Sequence, residues 1–241
     1  MGVKGKSGRL LIDEFDFSTD TMAAAMEFAV ESVEANGWQS AGAQFQPGAP
    51  SGKMTISGYY TGGDAGQIYG ELRERSGSEV NAWAAWVVDT RSVGQAADVL
   101  QSAWGSALSI DAPVKELLTI NGTLEGDPYC GVTLLDGTAD ALGNGTVVNL
   151  LAAGSAGGTA FLFVTDVLGT AIDATISIEC DTIAGMTTPT DKGSIVFSDV
   201  GVYELALTGT VEQYVRVTID DLGGADEFTA TLILCVDGVT Q

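Results

Sequence analysis

The sequence predicts a mainly β chain with one short helix, divided near residue 128, whose C-terminal part is a β-sandwich. Three observations carry this. Glycine is abundant (32 of 241 residues) and charged residues make up only 17%, as in short strands joined by many turns. From about residue 159 onward, apolar and polar side chains alternate in short segments at regular spacing. Helix start and stop signals occur in one stretch alone. With 45% apolar residues the chain is not disordered, and its length suits one large domain or two ordinary ones.

Residues 9–20, "RLLIDEFDFSTD", read as a first strand, with Leu11, Asp13, Phe15 and Phe17 opposing Leu10, Ile12, Glu14 and Asp16. The following "TMAAAMEFAVESVEANGW" fits two periods. Met22, Met26 and Val30 form a helical stripe, whereas Glu27 to Val33 alternate as a strand. The strand reading is preferred because of the segments that follow. Residues 36–53, "NGWQSAGAQFQPGAPSGK", read as a long polar loop carrying Trp38 and Phe45. Long loops are usually functional or disordered. These aromatics either contact another chain, the preferred reading, or fold back on their own domain.

In "MTISGYYT", Met54 and Ile56 alternate with Thr55 and Ser57 as a strand. The helix lies in "GDAGQIYGELRERSG". Asp64 is its expected N-cap, with Gln67 completing a capping box. Ile68 and Leu72 share a face, Glu71 and Arg75 pair at i,i+4, and Gly77 stops the helix. "EVNAWAAWVVDT" and "ALSIDAPVKELLTINGTLEGD" are further strands, the second bent or at an edge because of Pro113.

Residues 137–158 are Gly/Ala-rich and read as a linker or surface strand. Six short strands follow: "TAFLFVTDV", "DATISIEC", "SIVFSD", "VYELALT", "YVRVTID" and "FTATLILCV". Ile176, Ile178 and Cys180 oppose Thr175, Ser177 and Glu179; Val215, Val217 and Ile219 oppose Tyr214, Arg216 and Thr218. One face of each strand is therefore wet, as in a sandwich. "YELALTGTVEQYVRVTIDD" (203–221) reads as a hairpin around a Gly-Thr turn.

The net charge is −22, from 32 acids and 10 bases. Such a surface repels phosphates and gains nothing from anionic lipid, which excludes sequence-reading of nucleic acid. It suits solubility at high salt, where screening acts over about 3 Å at 1 M, or a wall past which a polyanion slides. Residues 1–128 hold 17 acids and 8 bases, residues 129–241 hold 15 and 2. Cations therefore concentrate where subunits would pair charges. The start, "MGVKGKSGRLLIDEF", has no apolar h-region and reads as a flexible basic arm. Gly5-Lys6-Ser7 lacks the upstream glycine, strand and helix of a phosphate loop. No stretch is long and apolar enough to span a membrane, so a soluble protein without a membrane anchor is expected.

No histidine is present, which removes the usual general base, a common metal ligand and the Ser/His/Asp triad. No Gly-rich nucleotide fingerprint stands between strand and helix. Carboxylate pairs such as Asp13/Glu14, Asp220/Asp221 and Asp226/Glu227 are better read as solvated charge than as a glycosidase pair. "DDLGGADE" (220–227) reads as a turn, not a calcium loop. Asn121 and Asn144 match glycosylation sequons by chance in a Thr-rich chain. Cys130, Cys180 and Cys235 have no CxxC spacing and read as small buried apolar residues, with a Cys180–Cys235 disulfide left open. No catalytic residue, cofactor or metal is expected.

Laid out this way, the chain resembles the major tail (tail tube) proteins of siphovirus-type tails. The resemblance rests on "IDEFDFS", the strands around "FQPGAPSGKMTISGYYTG", the helix "DAGQIYGELRERSG", and the late strand "PVKELLTINGTLEGDPYCGVTL". It also rests on "GVYELALTGTVEQYVRVTIDDLGGADEFTATLILCV", since such proteins often carry a "tGtv.rYvRv" stretch. Arg216 matches that pattern; Gln213 departs from the basic residue usual before the Tyr. The resemblance implies a tube domain at 1–128, a β-sandwich or barrel with one flanking helix. It implies an immunoglobulin-like outer sandwich at 129–241. It further implies rings, commonly six-fold, stacked into a tube that other tail proteins join and viral DNA traverses. The expected location is the virion tail, after synthesis in the host cytoplasm. The acid excess is similar to that of haloarchaeal proteins.

Under this reading Trp38, Phe45, Gln46 and Pro47 form a subunit or ring contact, and deleting residues 40–50 blocks polymerisation. Glu27, Glu31 and Glu34 line the lumen. Two rival readings are a capsid decoration or cell-surface adhesion sandwich, and a glycan module using Trp83, Trp86 and Trp104.

Overall fold

The computed structural model describes residues 8–34, 45–64, 66–76, 81–88, 92–112, 117–169 and 173–237. The fold is mainly β, with antiparallel sheets and, among the described residues, one helix. The strands are β1 (Arg9–Ile12), β2 (Phe15–Asp16), β3 (Thr21–Glu34), β4 (Phe45–Tyr59), β5 (Ala82–Val87), β6 (Ala96–Asp111) and β7 (Thr119–Ala139). They continue with β8 (Gly143–Asn144), β9 (Val148–Asn149), β10 (Gly158–Gly169), β11 (Ala174–Asp181), β12 (Thr190–Phe197), β13 (Gly201–Leu207), β14 (Tyr214–Asp221) and β15 (Ala225–Val236). The helix is α1 (Ile68–Arg75). The chain forms two compact units, and β6 and β7 run from one into the other.

The larger unit comprises residues 1–19, 84–99 and 129–241. The early segments 1–19 and 84–99 thus group with the C-terminal half. Its strands follow the order β13-β10-β15-β7-β6-β5-β1-β2 in one sheet and β12-β11-β14-β8 in the other, with β9 also on β14. The core between the sheets takes Leu162, Val164, Leu232 and Leu234 from the first and Ile176, Ile178, Val215 and Val217 from the second. Phe197 and Phe228 meet edge to face at 5.0 Å, a favoured aromatic geometry. The apolar face expected for Ile176, Ile178 and Cys180 is buried.

Three expectations change in this unit. The first strand is a hairpin: Asp13 takes φ 50° and Leu11 pairs with Asp16, Ile12 with Phe15. Asp tolerates the left-handed region that a tight turn demands, and the Ser18 hydroxyl accepts the Leu10 N–H at 3.1 Å. Of the two readings for residues 137–158 the linker falls and the strand stands, because β7 reaches Ala139, β8 and β9 join β14, and Val148 and Leu150 are buried. Residues 203–221 are not one hairpin either. β13 pairs with β10 and β14 with β11, in different sheets. Their link crosses the sandwich and is pinned by the buried Val211, bridged to Gly154. Alternation says that each strand has a dry face; it does not say which sheet the strand joins.

The smaller unit comprises residues 20–83 and 100–128. β4 lies between β3 and the first part of β7. Its Gly52, Met54, Ile56 and Gly58 are buried, and Lys53 and Thr55 are exposed. Ile68 and Leu72 of α1 cover this buried face. A Cβ at Gly122 would come 2.6 Å from a Leu72 methyl, and one at Gly58 would lie 3.5 Å from an Ile68 methyl. The glycines leave room for the helix. The Glu71–Arg75 pair forms at 2.5 Å and is buried. The N-cap is Gln67, not Asp64: Asp64 sits one turn earlier, where its carbonyl accepts the Gln67 N–H at 3.2 Å and its own N–H reaches Gln67 Oε1 at 3.3 Å.

The expected loop at 36–53 is strand from Phe45 onward. β4 pairs with β7 only over Gly52–Tyr59, so Pro47 and Pro50 lie where one side of the strand has β3 alone. A missing N–H is tolerated there. Pro113 and Gly77 lie outside the described residues.

Candidate assembly surface

β3 is the feature of the smaller unit that its own fold leaves incomplete. It has 14 residues, about 45 Å at roughly 3.3 Å per residue. Among the described residues it pairs with β4 only. Its outer edge therefore presents a row of backbone donors and acceptors. Both of its faces are open as well: Phe28 is 44% exposed and Val30 57% on one, and Ala25, Glu27 and Ala29 are exposed on the other.

Apart from β13, a seven-residue edge beside β10, the edges of the larger unit are built differently. There β2, β8 and β9 have two residues each. β12 carries Asp191 and Lys192 beside a bulge at Gly193. Short strands, charges and bulges are the usual guards against unwanted strand addition. β3 has none of them over Ala23–Met26.

The register sorts the two faces. Residues directly opposite in an antiparallel pair share a face. Met26 opposes Met54, and Met54 opposes Leu124 on β7; Phe28 opposes Gly52. This is the face that α1 covers, and Phe28 and Val30 extend along it as exposed apolar side chains. On the other face Glu27 opposes Lys53, Lys53 opposes Glu125, and Thr55 opposes Thr123. Glu31 falls on the same face by the period of two. A groove of ≈ 430 Å³ opens here, lined by Glu27, Lys53, Trp104, Glu125 and Asp127 among others. This face is wet, polar and net acidic.

The residues named from sequence distribute as follows. Glu27 and Glu31 are exposed on β3. The backbones of Glu34 and Phe45 oppose each other, as do those of Val33 and Gln46; these four side chains lie outside the described residues. Pro47 is exposed opposite Ser32. Trp38 lies outside the described residues. Of the three tryptophans weighed as a sugar platform, Trp83 and Trp86 are half-buried on β5 and Trp104 is exposed on β6. The part played by Phe28, Val30 and Lys53 escaped the sequence reading. The available signal was "AAAMEFAV", whose even phase (Ala24, Met26, Phe28, Val30) is wholly apolar and so marks one face that extends beyond the cover of α1.

All three cysteines are free, Cys130 exposed and Cys180 and Cys235 buried. Burial, then the neighbouring Cys130 and Asp98, push the Cys235 thiol far above its ordinary range. Burial and the Asp98 carboxylate raise Cys130, and thiols held protonated are poor nucleophiles. No group of three or more His, Cys, Asp or Glu that could hold a metal occurs among the described residues, and no helix there is long and apolar enough to cross a membrane.

No family model matches the chain, and no curated protein does. Among solved structures, the chain is similar to a tube-terminating cap of the anti-feeding prophage, with 13% identity and a TM-score of 0.42 over 55% of this chain and 92% of that one. It is similar to a chain of the native gene transfer agent virion, with 13% identity and a TM-score of 0.39 over 55% and 99%. It is also similar to the SPP1 tail tube, with 14% identity and a TM-score of 0.38 over 52% and 75%.

Proposed function

We propose that this protein is the building block of a viral tail tube, a structural virion protein without enzymatic activity that polymerises as stacked rings. The observation that carries the reading is β3, a 14-residue edge strand open on both faces, against eight residues in the edge strand β12 and seven in the edge strand β13. A ring needs a heterologous interface whose rotation closes, and strand addition at an open edge supplies one. The sequence resemblance to siphovirus-type tail tube proteins agrees with it. The ring is six-fold in this reading, other tail proteins cap the tube, and the product resides in the virion tail after synthesis in the host cytoplasm.

The polar face of Glu27, Glu31, Lys53 and Glu125 faces the lumen. It lets DNA pass without capture, because net acid repels phosphate. Trp38, Phe45, Gln46 and Pro47 reach the adjacent ring. The C-terminal sandwich of residues 129–241 is the outer decoration in this reading, and the net charge of −22 suits a virus of a salt-loving archaeon.

Electron microscopy of the purified protein in molar salt tests this: hollow tubes are expected. The variant Phe28→Lys/Val30→Lys places cations on the apolar flank of β3 and should give folded, discrete particles with native circular dichroism. A wild-type protein that stays monomeric or trimeric overturns the proposal in favour of a capsid decoration or adhesion sandwich. Binding on a glycan array would instead favour a glycan module.

A further inference from the structure

β4 and β3 differ in what holds their register. β4 is fixed by burial, since Met54 and Ile56 are fully covered and a one-residue shift would expose them. β3 has no burial of this kind, for its described side chains are exposed or half-buried on both faces, and between the register shifts at Thr21/Ala23 and Val30/Ser32 its pairing with β4 is regular. Its pairs between Ala23 and Val30 are Ala–Ser, Ala–Ile, Ala–Thr, Met–Met, Glu–Lys, Phe–Gly, Ala–Ser and Val–Pro. Alanine, serine and glycine discriminate little between neighbours. A two-residue slip that keeps each side chain on its own face sets Met26 opposite Ile56 or Gly52, and methionine adapts to either. The same slip sets Glu27 opposite Ser51 or Thr55, and leaves Lys53 facing Ala25 or Ala29. Glu27–Lys53 is the one pair of opposite charges and the slip breaks it, whereas Lys53 keeps Glu125 opposite it on β7 in either register. Lys53 therefore stands at the centre of a Glu–Lys–Glu row across three strands.

We infer that Lys53 is a positioning residue, the register pin that holds the β3 edge in one phase against β4. Its consequence for polymerisation rests on the ring reading above: an edge that samples two registers presents its donors and acceptors to a neighbouring copy out of step. Cross-strand opposite charges are the sheet's means of choosing among otherwise equal pairings.

Disulfide trapping in the unassembled protein reads the register directly. In a Cys130→Ser background, Ala25→Cys/Thr55→Cys reports the observed register and Ala25→Cys/Ser57→Cys the slipped one. With Lys53 in place the first pair should cross-link and the second should not. Lys53→Gln should lower the ratio of the two about two- to fivefold, in the range that one cross-strand charge pair supplies. Lys53→Arg should keep it. The triple exchange Glu27→Lys/Lys53→Glu/Glu125→Lys should restore it, although the sign of every charge is reversed.

Tube formation in the same variants without the added cysteines should follow the ratio. An unchanged ratio in Lys53→Gln overturns the inference, as does a triple exchange that stays folded yet does not recover. The latter would mean that Lys53 meets a passing polyanion, a role that charge reversal abolishes. If cross-linking behaves as stated but wild-type protein forms no tubes, the ring reading falls and the register pin stands.

Discussion

Arg9 explains why the start of the chain belongs with its end. Its Nε donates to Asp16 at 3.0 Å, and its Nη1 donates to Asp136 on β7 and to Thr231 on β15, the latter at 2.6 Å. The Arg9 and Asp136 side chains are almost wholly buried, so each charge depends on the other. Asp181 works on a smaller scale. Its carboxylate accepts the N–H of Thr188 at 3.0 Å and of Ile183 at 3.3 Å, and so shapes the loop between β11 and β12. The Thr188 N–H above all, with those of Ile183 and Thr182, holds its pKa below the ordinary value. A depressed folded pKa contributes stability above the unfolded value of about 4 and loses it as pH falls through the folded value. Asp181→Asn should therefore unfold at lower urea than wild type at pH 7, and the gap should close as the pH drops below about 4. A gap independent of pH would assign the effect to something other than this carboxylate.

Among the elements, α1 shows how composition serves packing. Eight residues are too few for a stable isolated helix, so α1 depends on the sheet beneath it. Gly122 gives Leu72 its seat. Gly122→Ala should cost about 1–3 kcal/mol, the usual range for overpacking, measured by urea unfolding. Adding Leu72→Ala should cost less than its own loss in the wild type, because the clash is then absent. Additive losses would show that Leu72 does not bear on Gly122. The strand elements were legible in part. Residues 21–34 fit helix and strand alike as a local pattern, and pairing with β4 makes them a strand. Phe45–Lys53 looked like loop because Gly and Pro were read as breakers. They are accommodated because that end of β4 has a partner on one side only.

At the scale of the molecule, the larger unit is assembled from three stretches of chain. Residues 129–241 alone lack β1, β2 and β5, which end one of its sheets, and lack Arg9, which neutralises the buried Asp136. Expressed without the first 128 residues, this segment should show strand-type circular dichroism but no sharp urea transition, in contrast to the whole chain. A cooperative transition in the fragment would show that the outer sandwich is independent of the N-terminal strands. Net charge acts at this scale too. Of the cations in the described residues, Arg9 and Arg75 are buried in pairs and Arg216 bonds Glu179 at 2.7 Å. Little positive charge remains to offset the acidic exterior.

Period and composition alone determined the β class, the single helix, and the buried faces of β11 and β14, because a two-residue alternation reports which side of a strand is dry. Tertiary structure decided which strands are neighbours. It divided residues 203–221 between two sheets, drew the Gly-rich 137–158 into the sandwich, and left β3 at an edge. Those choices depend on hydrogen bonds between residues distant in sequence, and a local pattern carries no record of its distant partner.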